Sequence, residues 1–203
     1  MLQHSVVNAS QILNFWFGPL TADGMPLEDR NSVWFNGGEA VDAEIRQRFG
    51  ADVERALAGD LDDWRLEANG LVALMLLLDQ FTRNIYRGVP AAFSGDEKAL
   101  ALARTAIEEN QDLALPTIYR VFLYNPFQHA ESLADQTKGV ELVQTLLAQC
   151  GDASRDYVAN SLRYFQAHLD VIEKFGRFPH RNAVLGRAST PEERAFMETH
   201  SGF

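Results

Sequence analysis

Leu71-Val72-Ala73-Leu74-Met75-Leu76-Leu77-Leu78-Asp79-Gln80-Phe81-Thr82-Arg83-Asn84-Ile85-Tyr86-Arg87 changes character halfway along. Its first eight residues are all apolar, far short of the roughly 20 needed to cross a bilayer. A segment apolar on every side marks a helix packed by neighbours all round. The second half places Asp79, Gln80, Arg83, Asn84 and Arg87 within an arc of about 140°, at ~100° per residue. Val72 and Leu76 project into that arc one and two turns earlier, so the polar stripe continues a buried face. Such a stripe lines an internal groove, or it forms a buried hydrogen-bond network tying helices together, with Asp79 and Arg83 as an i,i+4 pair.

Outward from this helix, expected over Asn69 to Arg87, helical periodicity dominates and strand alternation is scarce, so the fold class is all-α. A first helix spans Ser10 to Phe17 and stops at Gly18-Pro19. Thr21 to Gly38 reads as a loop carrying Trp34-Phe35. An amphipathic helix follows from Glu39 to Ala58, with Val41, Ile45, Phe49, Val53 and Leu57 every four residues. Ser94-Gly95-Asp96-Glu97 has capping-box spacing and opens a helix to Asn110. Another starts near Pro116 and ends at Tyr124. Asn125 as N-cap, Pro126 at the first helical position and Gln128 then predict a new start, running to Gln149 with a break at Gly139 and with His129 and Glu131 in its opening turns. Ser154 to Phe175 forms a long helix whose core stripe is Tyr157, Leu162, Phe165, Leu169 and Ile172, and Thr190-Pro191-Glu192-Glu193 opens a last one that frays toward Phe203. The segments amount to about eight to ten helices. No low-complexity linker divides residues 1–203, expected to form a single α-helical domain, and no ~34-residue repeat is visible.

The chain has 203 residues, 46% hydrophobic and 23% charged, enough for a substantial core. Its 28 acidic and 18 basic residues leave a formal charge of −10, which argues against nucleic acid and anionic membrane surfaces as partners. Cys150 stands alone, so no internal disulfide and no cysteine metal cluster is available. Met1-Leu2-Gln3-His4-Ser5 lacks the pattern of a signal peptide, and a cytoplasmic location is the expectation.

Only three of the basic residues are lysines, Lys98, Lys138 and Lys174. Arginines gather in two acid-poor segments, Leu71–Phe93 and Gly176–Arg187. A guanidinium fork suits carboxylate or phosphate, so these segments invite an anionic ligand, unless the arginines pair with the chain's own carboxylates. Pro179 suits the start of a short helix, whose N–H groups around His180 and Arg181 would point at an anion. Phe81-Thr82-Arg83-Asn84 and Phe178-Pro179-His180-Arg181-Asn182 echo each other weakly and suggest convergence on one site.

Glycine-rich phosphate loops, the two-histidine metalloprotease helix, the serine nucleophile elbow and the calcium loop are missing, and no cofactor or metal is expected. The possible acids and bases are His129, Glu131, His168, His180 and Asp79. His129 and Glu131 lie about 200° apart on a regular helix, which disfavours a direct pair. His168 reads as a packed side chain. Trp16, Trp34 and Trp64 read mainly as core, with Trp34-Phe35 the exception placed to cover a site.

Ile12-Leu13-Asn14-Phe15-Trp16-Phe17-Gly18, Trp34-Phe35, the string from Leu78 to Gly88, Tyr124-Asn125-Pro126-Phe127-Gln128-His129-Ala130-Glu131 and Phe175-Gly176-Arg177-Phe178-Pro179-His180-Arg181-Asn182 resemble the bacterial domain of unknown function family 924 over nearly the full length. The resemblance implies an all-α fold similar to tetratricopeptide-like superhelices, built of antiparallel helix pairs, and implies no reaction. The family usually has Pro after Gln-Phe, where this chain has Thr82.

Three readings follow. In the first, a groove holds a small anionic molecule or a peptide carboxylate against Arg83, Arg87, Arg177 and Arg181, with Asp79, Gln80, Asn84 and Asn182 completing the site. In the second, an enzyme acts on a small anionic substrate with His129 or His180 as acid/base and Glu131 as its orienter. In the third, the Arg-Asn segments are internal ties and the function lies on a protein-binding surface.

Overall fold

The structure, a computed structural model, describes residues 8–35 and 37–200. The reading of Met1–Ser5 and the expected fraying at Phe203 lie outside the described residues. Those residues are helical, apart from loops and one isolated antiparallel bridge between Leu20 and Pro26. None of their helices is long and apolar enough to cross a membrane.

Helix α1 (Ala9–Phe17) begins with a capping box between Asn8 and Gln11. One turn, α2 (Asn31–Trp34), interrupts the expected loop. Helix α3 (Gly38–Ala58) buries Ile45, Phe49 and Val53 of the predicted stripe and ends at Gly59, whose φ of +96° suits glycine. The decisive stretch forms α4 (Ala68–Met75), a π-turn over Leu76–Phe81 and α5 (Thr82–Ile85). Helices α6 (Asp96–Glu108), α7 (Thr117–His129), α8 (Leu133–Gln149), α9 (Asp152–Phe175) and α10 (Pro191–Met197) follow. Thr190 and Glu193 form the expected capping box of α10.

Helix α4 is buried on all sides, touching α1, α6 and α7. Its continuation packs on α3, and α7, α8 and α9 run as successive hairpins. Rings of different helices interlock at the centre: Trp16 with Phe81 at 5.4 Å, Phe49 with Phe81 at 5.2 Å and Phe17 with Phe122 at 5.1 Å. Val171, Ile172 and Phe178 form a smaller cluster with Phe175 and Phe196.

Three local expectations are corrected. Asn125-Pro126 does not start a helix: Pro126 lies inside α7, and the chain breaks at Ala130–Ser132. An internal proline costs about 3 kcal/mol, but Leu123, Tyr124 and Phe127 are fully buried by continuing the helix, at about 1.5–3 kcal/mol each. Gln136 then caps the end of α7, its Nε2 donating to the carbonyls of Gln128 (2.6 Å) and Ala130 (2.8 Å). Gly139 is no break either. It lies within α8 where a Cβ would come within 2.8 Å of Phe127 and 3.1 Å of Phe165, so its bare backbone lets α8 close on its neighbours. Finally, Ser94 does not cap α6. Its hydroxyl donates to the Ala91 carbonyl at 2.7 Å, and Gly95 opens the helix hard against the π-turn.

A Cβ on Gly95 would stand 2.1 Å from the Leu78 carbonyl oxygen, whereas one on Gly50, inside α3, meets nothing within 4 Å. Gly95→Ala is expected to cost more than about 2 kcal/mol, and Gly50→Ala to add about 0.5–1 kcal/mol, both read by urea denaturation.

Candidate functional site

The π-turn reorganises the polar stripe. An i→i+5 turn is wider than an α-turn and leaves carbonyls poorly served within the helix. Two side chains reach back to them: Thr82 Oγ1 donates to the Leu78 carbonyl at 2.8 Å, and Arg83 Nη1 donates to the Asp79 carbonyl. The extra residue also turns Asp79 inward, where it is 0% exposed, while Gln80, Arg83, Asn84 and Arg87 line a cleft of about 470 Å³.

Helices α7 and α9 complete that cleft. From α7 come Phe122, Asn125, Gln128 and His129; from α9 come Tyr157, Ser161, Tyr164, Phe165 and His168. Trp34 and Phe35 complete the lining, the Trp34 ring 5.1 Å from Phe122 and 5.9 Å from Tyr157, with its Nε1 donating to the Trp16 carbonyl at 2.9 Å. The lining is thus half polar floor and half aromatic wall.

Beneath the floor, Asp79 Oδ1 lies 2.7 Å from His129 Nδ1 and 3.3 Å from Arg83 Nη1, and Gln80 Nε2 donates to Oδ2. Burial alone would raise the Asp79 carboxyl, but the charge of Arg83 and the hydrogen bonds from His129 and Gln80 outweigh it and hold the acid well below the usual carboxylate range. Desolvation pushes the His129 imidazole down against the pull of Asp79, so His129 is neutral near pH 7. A carboxylate only accepts hydrogen bonds, so His129 Nδ1 carries the ring proton and donates it to Asp79.

The network extends outward. Arg83 Nη1 is 2.9 Å from Asp96 Oδ1 and Arg181 Nη1 is 3.2 Å from Asp96 Oδ2, so the two echoed segments meet on one acid of α6. Arg181 is sandwiched between the Phe93 and Phe178 rings at 4.6 and 4.5 Å. Desolvation, with Arg83 nearby, lowers the Arg181 guanidinium to about 10.

The four arginines do not line one groove. Arg83 and Arg87 line the cleft, and Arg177 and Arg181 do not. Arg87 clasps Asp42 with two hydrogen bonds of 2.6 and 2.9 Å, and Asn84 Nδ2 donates to the same acid at 2.8 Å. Arg177 grips Glu193 at 2.6 and 2.8 Å, with Asn182 Nδ2 on the same carboxylate at 3.1 Å. The Pro179 turn offers no cluster of open amides, because Arg181 N–H bonds the Phe178 carbonyl and Asn182 N–H that of Pro179.

Glu131 does not orient His129. It takes two hydrogen bonds from Arg187, at 2.6 and 2.8 Å, and one from the Phe178 amide at 2.7 Å. His180 lines a separate apolar pocket of about 230 Å³ beside Lys174, Phe196 and His200. Asp79 is the acid that His129 faces, 50 residues away in sequence.

Sequence reasoning missed Asn125, Gln128, Tyr157, Ser161, Tyr164 and His168 as cleft residues. Val121, Phe122, Asn125, Gln128 and His129 recur at helical spacing, a stripe that placing a helix start at Asn125 cuts in two. On α9 the signal was polar atoms recurring at positions 157, 161, 164 and 168 of a core face.

An all-α protein with a buried carboxylate–histidine pair beneath a half-aromatic cleft is the class that fold and site define. The chain belongs to the family described as "Bacterial protein of unknown function (DUF924)", whose model matches residues 12–201. It is similar to the solved structure of ATU0120, a protein of unknown function from Agrobacterium tumefaciens. Identity is 37%, with a TM-score of 0.78, over 95% of this chain and 97% of that one. No curated protein matches.

Removing Asp79 leaves His129 without its acceptor and the Arg83 charge matched by Asp96 alone, an acid it shares with Arg181, so Asp79→Ala is expected to cost about 3–5 kcal/mol in urea denaturation. The histidines make a second prediction. Burial lowers His168 to about 3 and His180 to about 4, and it lowers His129 as well. The unfolded chain takes up these protons below about 6.5, so stability falls as pH drops from there toward 4. The His168→Phe variant should flatten this fall by about 1.4 kcal/mol per pH unit at its steepest.

Proposed function

We propose that the cleft binds a small organic molecule with one carboxylate, or a neutral group of similar geometry, at its polar end and an aromatic or apolar body. The observation that carries this reading is the cleft lining itself, polar on Gln80, Arg83, Asn84, Asn125 and Gln128 and aromatic on Trp34, Phe122 and Phe165; two of these side chains also hold a buried polar atom with no hydrogen-bond partner among the described residues, Arg83 Nη2 and Gln128 Oε1, which a side-chain rotation would turn to a ligand. Leaving each unmade costs about 1–3 kcal/mol, which a bound acceptor and donor would offset. The body of the ligand lies against Trp34, Phe122 and Phe165. The cleft volume is within the range of small-molecule sites, about 300–1,000 Å³.

Charge balance narrows the ligand. Arg83 and Arg181 carry two positive charges beside two negative ones on Asp79 and Asp96, and Arg87 is matched by Asp42. A floor that is already neutral suits one negative charge and disfavours a di- or triphosphate. The binding set is therefore Gln80, Arg83 and Asn84 with Asn125 and Gln128, while Arg87, Arg177, Arg181 and Asn182 serve as internal ties. The same reading takes the chain as one domain of tetratricopeptide-like antiparallel helix pairs, with the cleft between pairs.

A thermal-shift series with benzoate, phenylacetate, hexanoate and a nucleoside diphosphate tests this. An aromatic carboxylate at ten times its Kd should raise Tm by about 3–6 °C. Arg83→Gln and Trp34→Ala should each abolish the shift, and Arg177→Gln should keep it. No carboxylate shift at 10 mM, or a shift that survives both cleft substitutions, overturns the reading.

A further inference from the structure

Ligand binding alone does not require an ionised acid with no exposed surface. Burying a carboxylate costs several kcal/mol even after relaxation, and apolar packing could tie α7 to the π-turn without that cost. What Asp79 supplies is orientation. Its Oδ1 accepts the Nδ1 proton of His129 at 2.7 Å and lies 3.3 Å from Arg83 Nη1, while Gln80 donates to Oδ2. His129 lines the cleft and makes no second hydrogen bond among the described residues. With Nδ1 committed to Asp79, Nε2 is the ring nitrogen left to meet a molecule in the cleft that His129 lines. Arg83, bonded to the same acid, lines the same space. The π-turn in this stretch is a rare element that is frequent at functional sites.

We propose that His129 is a general base, positioned by Asp79, that activates water for attack on a small carboxylic ester held in the cleft. This rests on the carboxylate-binding reading above and deepens it, because the bound carboxylate is then the reaction product. His129 Nε2 takes a proton from water as the water oxygen bonds to the ester carbon. The carbonyl electron pair moves onto oxygen, where the Arg83 guanidinium stabilises the charge. The pair returns as the C–O bond breaks, and the imidazolium gives its proton to the departing alkoxide. Carboxylic acid and alcohol leave, and no oxidant or co-reactant is consumed. Water is the nucleophile because Ser161, the serine of the cleft, commits its hydroxyl to the Tyr157 carbonyl at 3.0 Å. The charged or titratable groups around His129 are Asp79 and Arg83, Asp96 on α6, His168 on α9 and His180 in the Pro179 turn.

The first test needs no substrate. Long-range ¹H–¹⁵N correlation spectra, with His129 assigned by its loss in His129→Gln, should show the Nδ1–H tautomer at pH 7. An Nε2–H tautomer or an imidazolium there overturns the proposal. The second test follows hydrolysis of 4-nitrophenyl acetate, butyrate and benzoate by the full chain. The rate should exceed the buffer blank, lose its activity at acidic pH, and drop by about 10²–10⁴ in His129→Gln. Asp79→Asn, if folded, should lower kcat and shift the acidic limb. Absence of turnover for all three esters, or turnover unchanged by His129→Gln, overturns the base. Retained carboxylate binding in His129→Gln separates the two readings: loss of turnover with binding intact concerns the base alone, and absence of carboxylate binding in the parent protein removes the site itself.

Discussion

The carboxylate of Asp79 is the constraint around which the rest is arranged. It is fully buried, so its charge must be met by protein groups: Gln80 and Arg83 from its own stretch of chain, and His129 from α7. His129 brings the end of α7, and Arg83 brings α5 and, through Asp96, α6. Arg181 brings the turn after α9 to the same acid of α6. A buried ion cluster of this kind adds little net stability over apolar packing, but it penalises strongly any arrangement that leaves one member unmatched. The helices are therefore held in one mutual placement, and that placement leaves a cleft above the ions.

The formal charge of −10 acquires a more specific meaning in this light. Arginines in the two acid-poor segments borrow acids from elsewhere: Arg87 from α3, Arg83 and Arg181 from α6, Arg177 from α10. Local positive charge in the sequence is cancelled in space. This cancellation narrows the proposed ligand from small anions in general to a single carboxylate, and it leaves Asp79 in place of Glu131 as the acid that orients His129. Glu131 serves instead as the clasp between the α7–α8 connection and Arg187.

Much of the fold was legible from local signals. Capping boxes, stop glycines and four-residue apolar spacing predict α1, α3, α9 and α10 closely, because each signal acts within a few residues of itself. Asn125-Pro126 misled for the converse reason. Proline at a helix start and proline inside a buried helix look alike locally, and the choice between them rests on the burial of Leu123, Tyr124 and Phe127 against distant helices. Ser94 misled similarly, since its hydroxyl found the Ala91 carbonyl of a preceding turn.

For the site, the sequence alone established that Asp79, Gln80, Arg83 and Asn84 share a helix face continuous with a buried one, since helical periodicity is a local property. It could not place a π-turn there, which turns Asp79 down to the ions and leaves its neighbours on the cleft. Nor could it pair Asp79 with His129 rather than with a nearer group. Pairing of buried charges is settled by which helices pack together, and that depends on the summed burial of the whole core, to which no single stretch of sequence has access.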